Sequence, residues 1–179
     1  MKGNKTMHHK LNLASRAGAT ALLAASLFIA AIPLARAHGP DAHGAAAVFG
    51  VPGDAAKPSR LVEIVLSDAD GKMMFQPSSI TAKAGEQLRF RVHNEGVLEH
   101  EFILATREAN LKHAEEMRKN PEMEHDEPNM QRLKPNETKE VLWRFTNPGT
   151  FHIGCLIPGH LESGMEANIV VTASNAKAK

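Results

Sequence analysis

Cysteine is nearly missing from this 179-residue chain, and Cys155 stands alone. One cysteine excludes an internal disulfide, so a packed core has to hold the fold. Aromatic residues are scarce at 4%, with one tryptophan and no tyrosine. No basic patch or interleaving of basic with aromatic residues occurs, so nothing points to nucleic acid. The length suits a single domain with one core.

What is present begins with an export signal. Lys2, Lys5, Lys10 and Arg16 precede an apolar, alanine-rich run from Ala17 to Leu34, and Ala35-Arg36-Ala37 has the form of a cleavage site. Residues 1–37 are therefore read as a signal peptide cleaved after Ala37, with an uncleaved membrane anchor as the alternative. Cleavage removes five basic residues and no acidic one, leaving 16 against 20, a net charge of −4 rather than +1. The expectation is a mildly acidic periplasmic protein, monomeric and free of the membrane.

Around Cys155 the chemistry concentrates. His160 follows five residues later and Met165 five further on, so a thiolate, an imidazole and a thioether fall within eleven residues. Soft sulfur ligands favour copper, and a His₂Cys centre with a weak axial methionine is a recurrent copper geometry. The second imidazole is assigned to His100, inward on the same parity as Phe102 and Leu104. On Cys155 alone, a buried inert thiol, intermolecular pairing, or a nucleophile served by His160 stay open. Structural zinc fits less well, since methionine is a poor zinc ligand.

The rest of the chain reads as short strands with turns between them. Leu61–Leu66, Phe75–Ala82, Leu88–Val92, His100–Leu104, Glu137–Phe145, Thr150–Cys155 and Ala167–Thr172 alternate or are β-branched, which gives about seven strands and an all-β, Greek-key sandwich. Pro77 marks an edge or irregular position. His93 is outward and is read as a surface residue. Between strands the period turns helical from Arg107 to Asn120, capped by Thr106, with Leu111, Ala114 and Met117 on one side. A polar, turn-rich stretch follows, so residues 106–135 form a helical and loop insertion. His113, Met117, Met123, His125 and Met130 lie in it and are candidates for a second copper site, best suited to Cu(I). Residues 38–60 are read as a flexible arm in which His38 and His43 offer a further metal site, the domain itself spans 61–173, and 174–179 form a disordered tail.

Three stretches, FQPSSITAKAGE, NEGVLEHEF and NPGTFHIGCLIPGHLESGM, resemble those of the cupredoxins, the plastocyanin- and azurin-like type 1 blue-copper proteins. The resemblance covers residues 60–173. It implies His100, Cys155 and His160 as equatorial copper ligands, Met165 as the axial one, and Cu(II)/Cu(I) cycling. The histidine- and methionine-rich insertion looks more like periplasmic cupredoxins of copper tolerance, with a dedicated one-electron carrier as the alternative. Copper-handling proteins or a periplasmic redox protein are the partners implied, and Leu98, Leu156, Ile157 and Pro158 are expected to form an apolar docking patch. Family members often carry asparagine after the first ligand histidine. Glu101 stands there instead, so the loop has to be braced elsewhere, through Asn94. The paired H-x-H ligands and second domain of copper oxidases are missing, so no enzyme activity is expected.

Overall fold

A computed structural model describes residues 48–121, 123 and 126–174. Ten strands form two five-stranded sheets packed face to face. They are β1 (Val51–Pro52), β2 (Arg60–Ser67), β3 (Met74–Gln76), β4 (Ser79–Lys83), β5 (Gln87–Asn94), β6 (His100–Ala105), β7 (Met130–Leu133), β8 (Thr138–Arg144), β9 (Gly149–Gly154) and β10 (Glu166–Thr172). The first sheet runs β1-β8-β5-β2-β3 and the second β4-β10-β9-β6-β7. Pairs β2–β5 and β4–β10 are parallel and the others antiparallel. The chain leaves one sheet edge and joins the other at Pro77, between β3 and β4. There the missing N–H breaks no ladder, as a proline between strands requires.

Inner faces supply the core by period-2 alternation. Leu88, Phe90 and Val92 of β5 meet Phe102 and Leu104 of β6, with Val141, Trp143, Phe151, Ile153 and Ile169 around them. Phe102 lies against Phe90 and edge-on to Phe75, with centroids at 5.4 and 6.5 Å. Aromatic pairs in these offset and edge arrangements add to the stabilisation from burial.

Three strands exceed the expected seven, and each has a local cause. Phe75–Ala82 is split in two at Pro77. Met130–Leu133, expected as loop, pairs with β6 from His100 to Ile103. Residues 49–54, expected in the arm, belong to the domain. Phe49 is buried and stacks on Trp143 at 5.1 Å, Val51 pairs with Arg144, and the Gly53 N–H donates to the Leu142 carbonyl. A single phenylalanine in a glycine- and alanine-rich stretch has no periodicity to reveal it. Its partner lies 94 residues further along the chain.

The helix, α1 (Arg107–Lys119), starts where expected. Thr106 Oγ1 accepts from the Ala109 N–H at 3.1 Å, and Arg118 and Lys119 occupy the last turn, where they oppose the helix dipole. Its buried stripe differs from the expected one. Asn110, Ala114 and Met117 face the sheet while Leu111 is 42% exposed. Asn110 wins that position because it has partners there. Its Nδ2 lies 2.8 Å from His152 Nδ1 and donates to the Ile103 carbonyl at 3.2 Å. Among the described residues no helix is long and apolar enough to cross a membrane.

Candidate metal centre

The ligand-bearing loop is built from backbone. Cys155 follows the last residue of β9, and the chain then turns at Gly159 and Gly164, whose φ values of +91° and +90° favour glycine. The His160 N–H donates to the Ile157 carbonyl and the Met165 N–H to the His160 carbonyl. The Cys155 N–H donates to the Met165 carbonyl at 3.2 Å, closing the loop on itself. Ser163 Oγ donates to the Gly159 carbonyl at 2.6 Å and Glu162 accepts from the Gly159 N–H, so the turn is held on both sides.

His100, at the start of β6, meets this loop from 55 residues away in sequence. Its Nδ1 lies 3.2 Å from His160 Nδ1, which lies 3.2 Å from Cys155 Sγ. One donor atom from each of the three lies within 4.8 Å of the others. Cys155, His100 and Met165 are fully buried, while His160 keeps 9% exposure. Met165 thus joins the loop through its backbone and points its thioether inward.

The electrostatics suit a cation that brings its own charge. Burial pushes the Cys155 thiol up to about 12, although the Glu101 N–H, 3.3 Å from Sγ, works the other way. Burial also holds His100 below its ordinary value, against the pull of Asp68. His160 is lowered by burial and by His100. Two imidazoles kept neutral and a thiol that needs a cation to ionise are a metal-ready donor set. One thiolate and two imidazoles, with a buried thioether in the same loop, fit a type 1 copper site.

Asp68 is the group that sequence reading missed. It follows the end of β2, yet its Oδ2 lies 3.2 Å from His100 Nε2, 32 residues away. Burial opposes its ionisation, but the Leu98 and Val97 N–H groups and His100 outweigh that and hold its carboxyl below the usual range. An ionised carboxylate only accepts, so Nε2 carries the proton and Nδ1 turns its lone pair to the cluster. Gly96 makes room for the contact: a Cβ there would meet Asp68 Oδ2 at 2.6 Å and His100 Nε2 at 3.0 Å. Asn94 braces the loop as expected. Its Nδ2 donates to the Leu98 and Leu133 carbonyls at 2.8 and 3.1 Å, and its Oδ1 accepts from the Gly96 N–H.

Other expected positions separate. His93 is half-buried, with its Nδ1 2.8 Å from Thr138 Oγ1, away from the centre. Leu156 does not join a surface patch. It is 1% exposed and packs with Ile103, Ala114 and Met117, because both faces of the second sheet are covered at this end. Val97 (81% exposed) and Leu98 (44%), with Pro158, form the exposed apolar rim instead. Within the insertion Met117, Met123 and Met130 gather on that second cluster, while His113 Nδ1 lies 3.4 Å from Glu116. His38, His43 and His125 lie outside the described residues.

A Greek-key sandwich carrying a buried His-Cys-His cluster on one interstrand loop defines a cupredoxin. Residues 62–172 match the copper binding proteins of the plastocyanin/azurin family, and the chain belongs to that family. It is 45% identical over 133 residues to the copper-resistant cuproprotein CopI of Rubrivivax gelatinosus, covering 74% of this chain and 79% of that one. With CopI of Pseudomonas aeruginosa it shares 34% identity, covering 84% and 96% of the two chains. Among solved structures, auracyanin B superposes with a TM-score of 0.56 at 22% identity, over 69% of this chain and 96% of that one, which supports the fold.

Proposed function

We propose that this chain is an exported type 1 copper protein serving copper tolerance, in which His100, Cys155, His160 and Met165 would hold the copper. The observation that carries this reading is the meeting of His100 with Cys155 and His160 in a buried cluster that its distant position in sequence does not require. The names of the relatives from R. gelatinosus and P. aeruginosa support the tolerance role. The export signal supports a periplasmic location.

Copper held there supplies one-electron chemistry between its +2 and +1 states. The protein's part is to hold the donors still. Asp68 fixes the His100 tautomer, the Glu101 N–H bonds the sulfur, and the loop hydrogen bonds keep Cys155, His160 and Met165 in register. A site held by packing and hydrogen bonds rearranges little between oxidation states. The proposal includes no catalysis beyond copper redox cycling, and the protein works as a monomer with a copper-handling partner.

A second reading, a dedicated electron carrier between periplasmic redox proteins, draws on the exposed Val97, Leu98 and Pro158 in the loops that carry the ligands. The centre is tested by visible and EPR spectra of the copper-loaded protein beside Cys155→Ser. Loss of the intense visible absorption is expected, and colour that survives would overturn the ligand set. Deletion separates the roles: growth sensitive to copper supports tolerance, and copper-indifferent growth with impaired cytochrome reduction supports the carrier.

A further inference from the structure

Glu101 is the one residue whose buried polar atoms lack partners among those described. It is 1% exposed, and neither carboxylate oxygen makes a well-formed hydrogen bond, the Leu156 N–H offering only a weak approach. Arg132 comes no nearer than 3.9 Å and is engaged by Glu99 at 3.0 Å. A buried carboxylate without a hydrogen-bonded partner is among the costliest arrangements a fold can hold.

Its surroundings say what would satisfy it. Alternation along β6 sends His100, Phe102 and Leu104 into the core, so Glu101 and Ile103 share the opposite face. On that face Ile103, Ala114, Met117 and Leu156 form the second cluster, with Met123 and Met130 packed against it. Ile103 pairs with Met130 and with Gly154, a register that sets Leu156 beside Glu101. Three thioethers therefore gather at this cluster, and the unsatisfied carboxylate shares the outer face of β6 with Ile103. Thioethers select soft cations, whereas calcium and magnesium demand several oxygens. A single carboxylate balances a single positive charge.

We propose that Glu101 and the thioethers of Met117, Met123 and Met130 form a second metal site, selective for Cu(I), on the outer face of the second sheet. The site stands apart from the type 1 centre: the Glu101 backbone N–H faces Cys155 while its side chain lies on the outer face of β6. It holds copper as a bound ion, with no electron or proton transferred.

The test uses the full chain carrying Cys155→Ser, with ¹³C-labelled methionine methyls, titrated with Ag(I) as a redox-inert soft monovalent ion. The methyls of Met117, Met123 and Met130 should shift together and saturate at one equivalent. Glu101→Gln should weaken that binding at least about tenfold, the loss typical of even an outer-sphere partner, while amide spectra stay native. The pair Met123→Leu and Met130→Leu, which spares the buried Met117, should do the same. Methyls that stay still, a shift confined to Met165, or an unchanged affinity in Glu101→Gln would each overturn the site. The visible spectrum of the copper-loaded parent reports the type 1 centre separately, so failure of one reading is told from failure of the other.

Discussion

His100 and Glu101 are neighbours in sequence, both buried, and treated in opposite ways by the fold. On the inner side of β6, His100 has a partner at each ring nitrogen, Asp68 on one and the His160–Cys155 pair on the other. On the outer side, Glu101 has none for either oxygen. The inner side is a prepared site, in which His100, His160 and Cys155 already meet before a metal arrives. The outer side holds a buried carboxyl group that the protein alone leaves poorly satisfied. Preorganisation and frustration thus sit one residue apart, and the strand's alternation keeps them separate.

The comparison is broken most severely by removing the wall behind the inner side. Phe102→Ala should cost about 3–5 kcal/mol, the usual range for emptying a buried phenylalanine site. Denaturant unfolding of the metal-free protein measures it. A loss under about 1 kcal/mol would mean that the two sheets collapse onto the cavity.

Next comes the outer carboxylate. Burial raises Glu101 to about 7 from an ordinary 4.5, against the attraction of Arg132 and the Leu156 N–H. Between those values the folded metal-free protein keeps a proton that the unfolded chain has lost, so this group's contribution falls as pH rises. Wild-type stability relative to Glu101→Gln should therefore drop by about 3 kcal/mol from pH 4 to pH 8. Taking the difference cancels the buried histidines, whose lowered values act in the other direction by destabilising the fold in acid. A flat difference would show that water or Arg132 reaches the carboxylate.

Asp68→Asn sharpens the inner side. The amide can present its nitrogen to His100 and free the ring to change tautomer, so copper affinity should fall about 10- to 100-fold. Competition with a chelator reads it, and an unchanged affinity would leave Asp68 as a brace for Val97 and Leu98 alone. The smallest effect belongs to the insertion: Thr106→Ala should cost about 1 kcal/mol. The type 1 spectrum should survive it, because α1 covers only the outer face.

Much of the inner side could be read before any coordinates. Cys155, His160 and Met165 lie on one loop whose turns at Pro158-Gly159 and Ser163-Gly164 are written in residue types, and parity along HEFIL turned His100 inward. The outer side could not be read. Apolar periodicity favours Leu111 for the helix's buried face, yet Asn110 takes it because His152 and the Ile103 carbonyl wait there. Leu156, expected at the rim from its place in the ligand loop, is covered by α1 instead.

By itself the sequence determined the sandwich, the ligand loop and the family, because alternation, turn chemistry and donor spacing act over a few residues and need no distant partner. Only the tertiary structure decided that Asp68 serves His100, that Phe49 closes the core, and that Glu101 is sealed from solvent on the outer face of β6. Each of those depends on a contact between segments far apart in the chain. Burial, which sets what a carboxylate costs and what it will bind, belongs to the packed whole rather than to any local pattern.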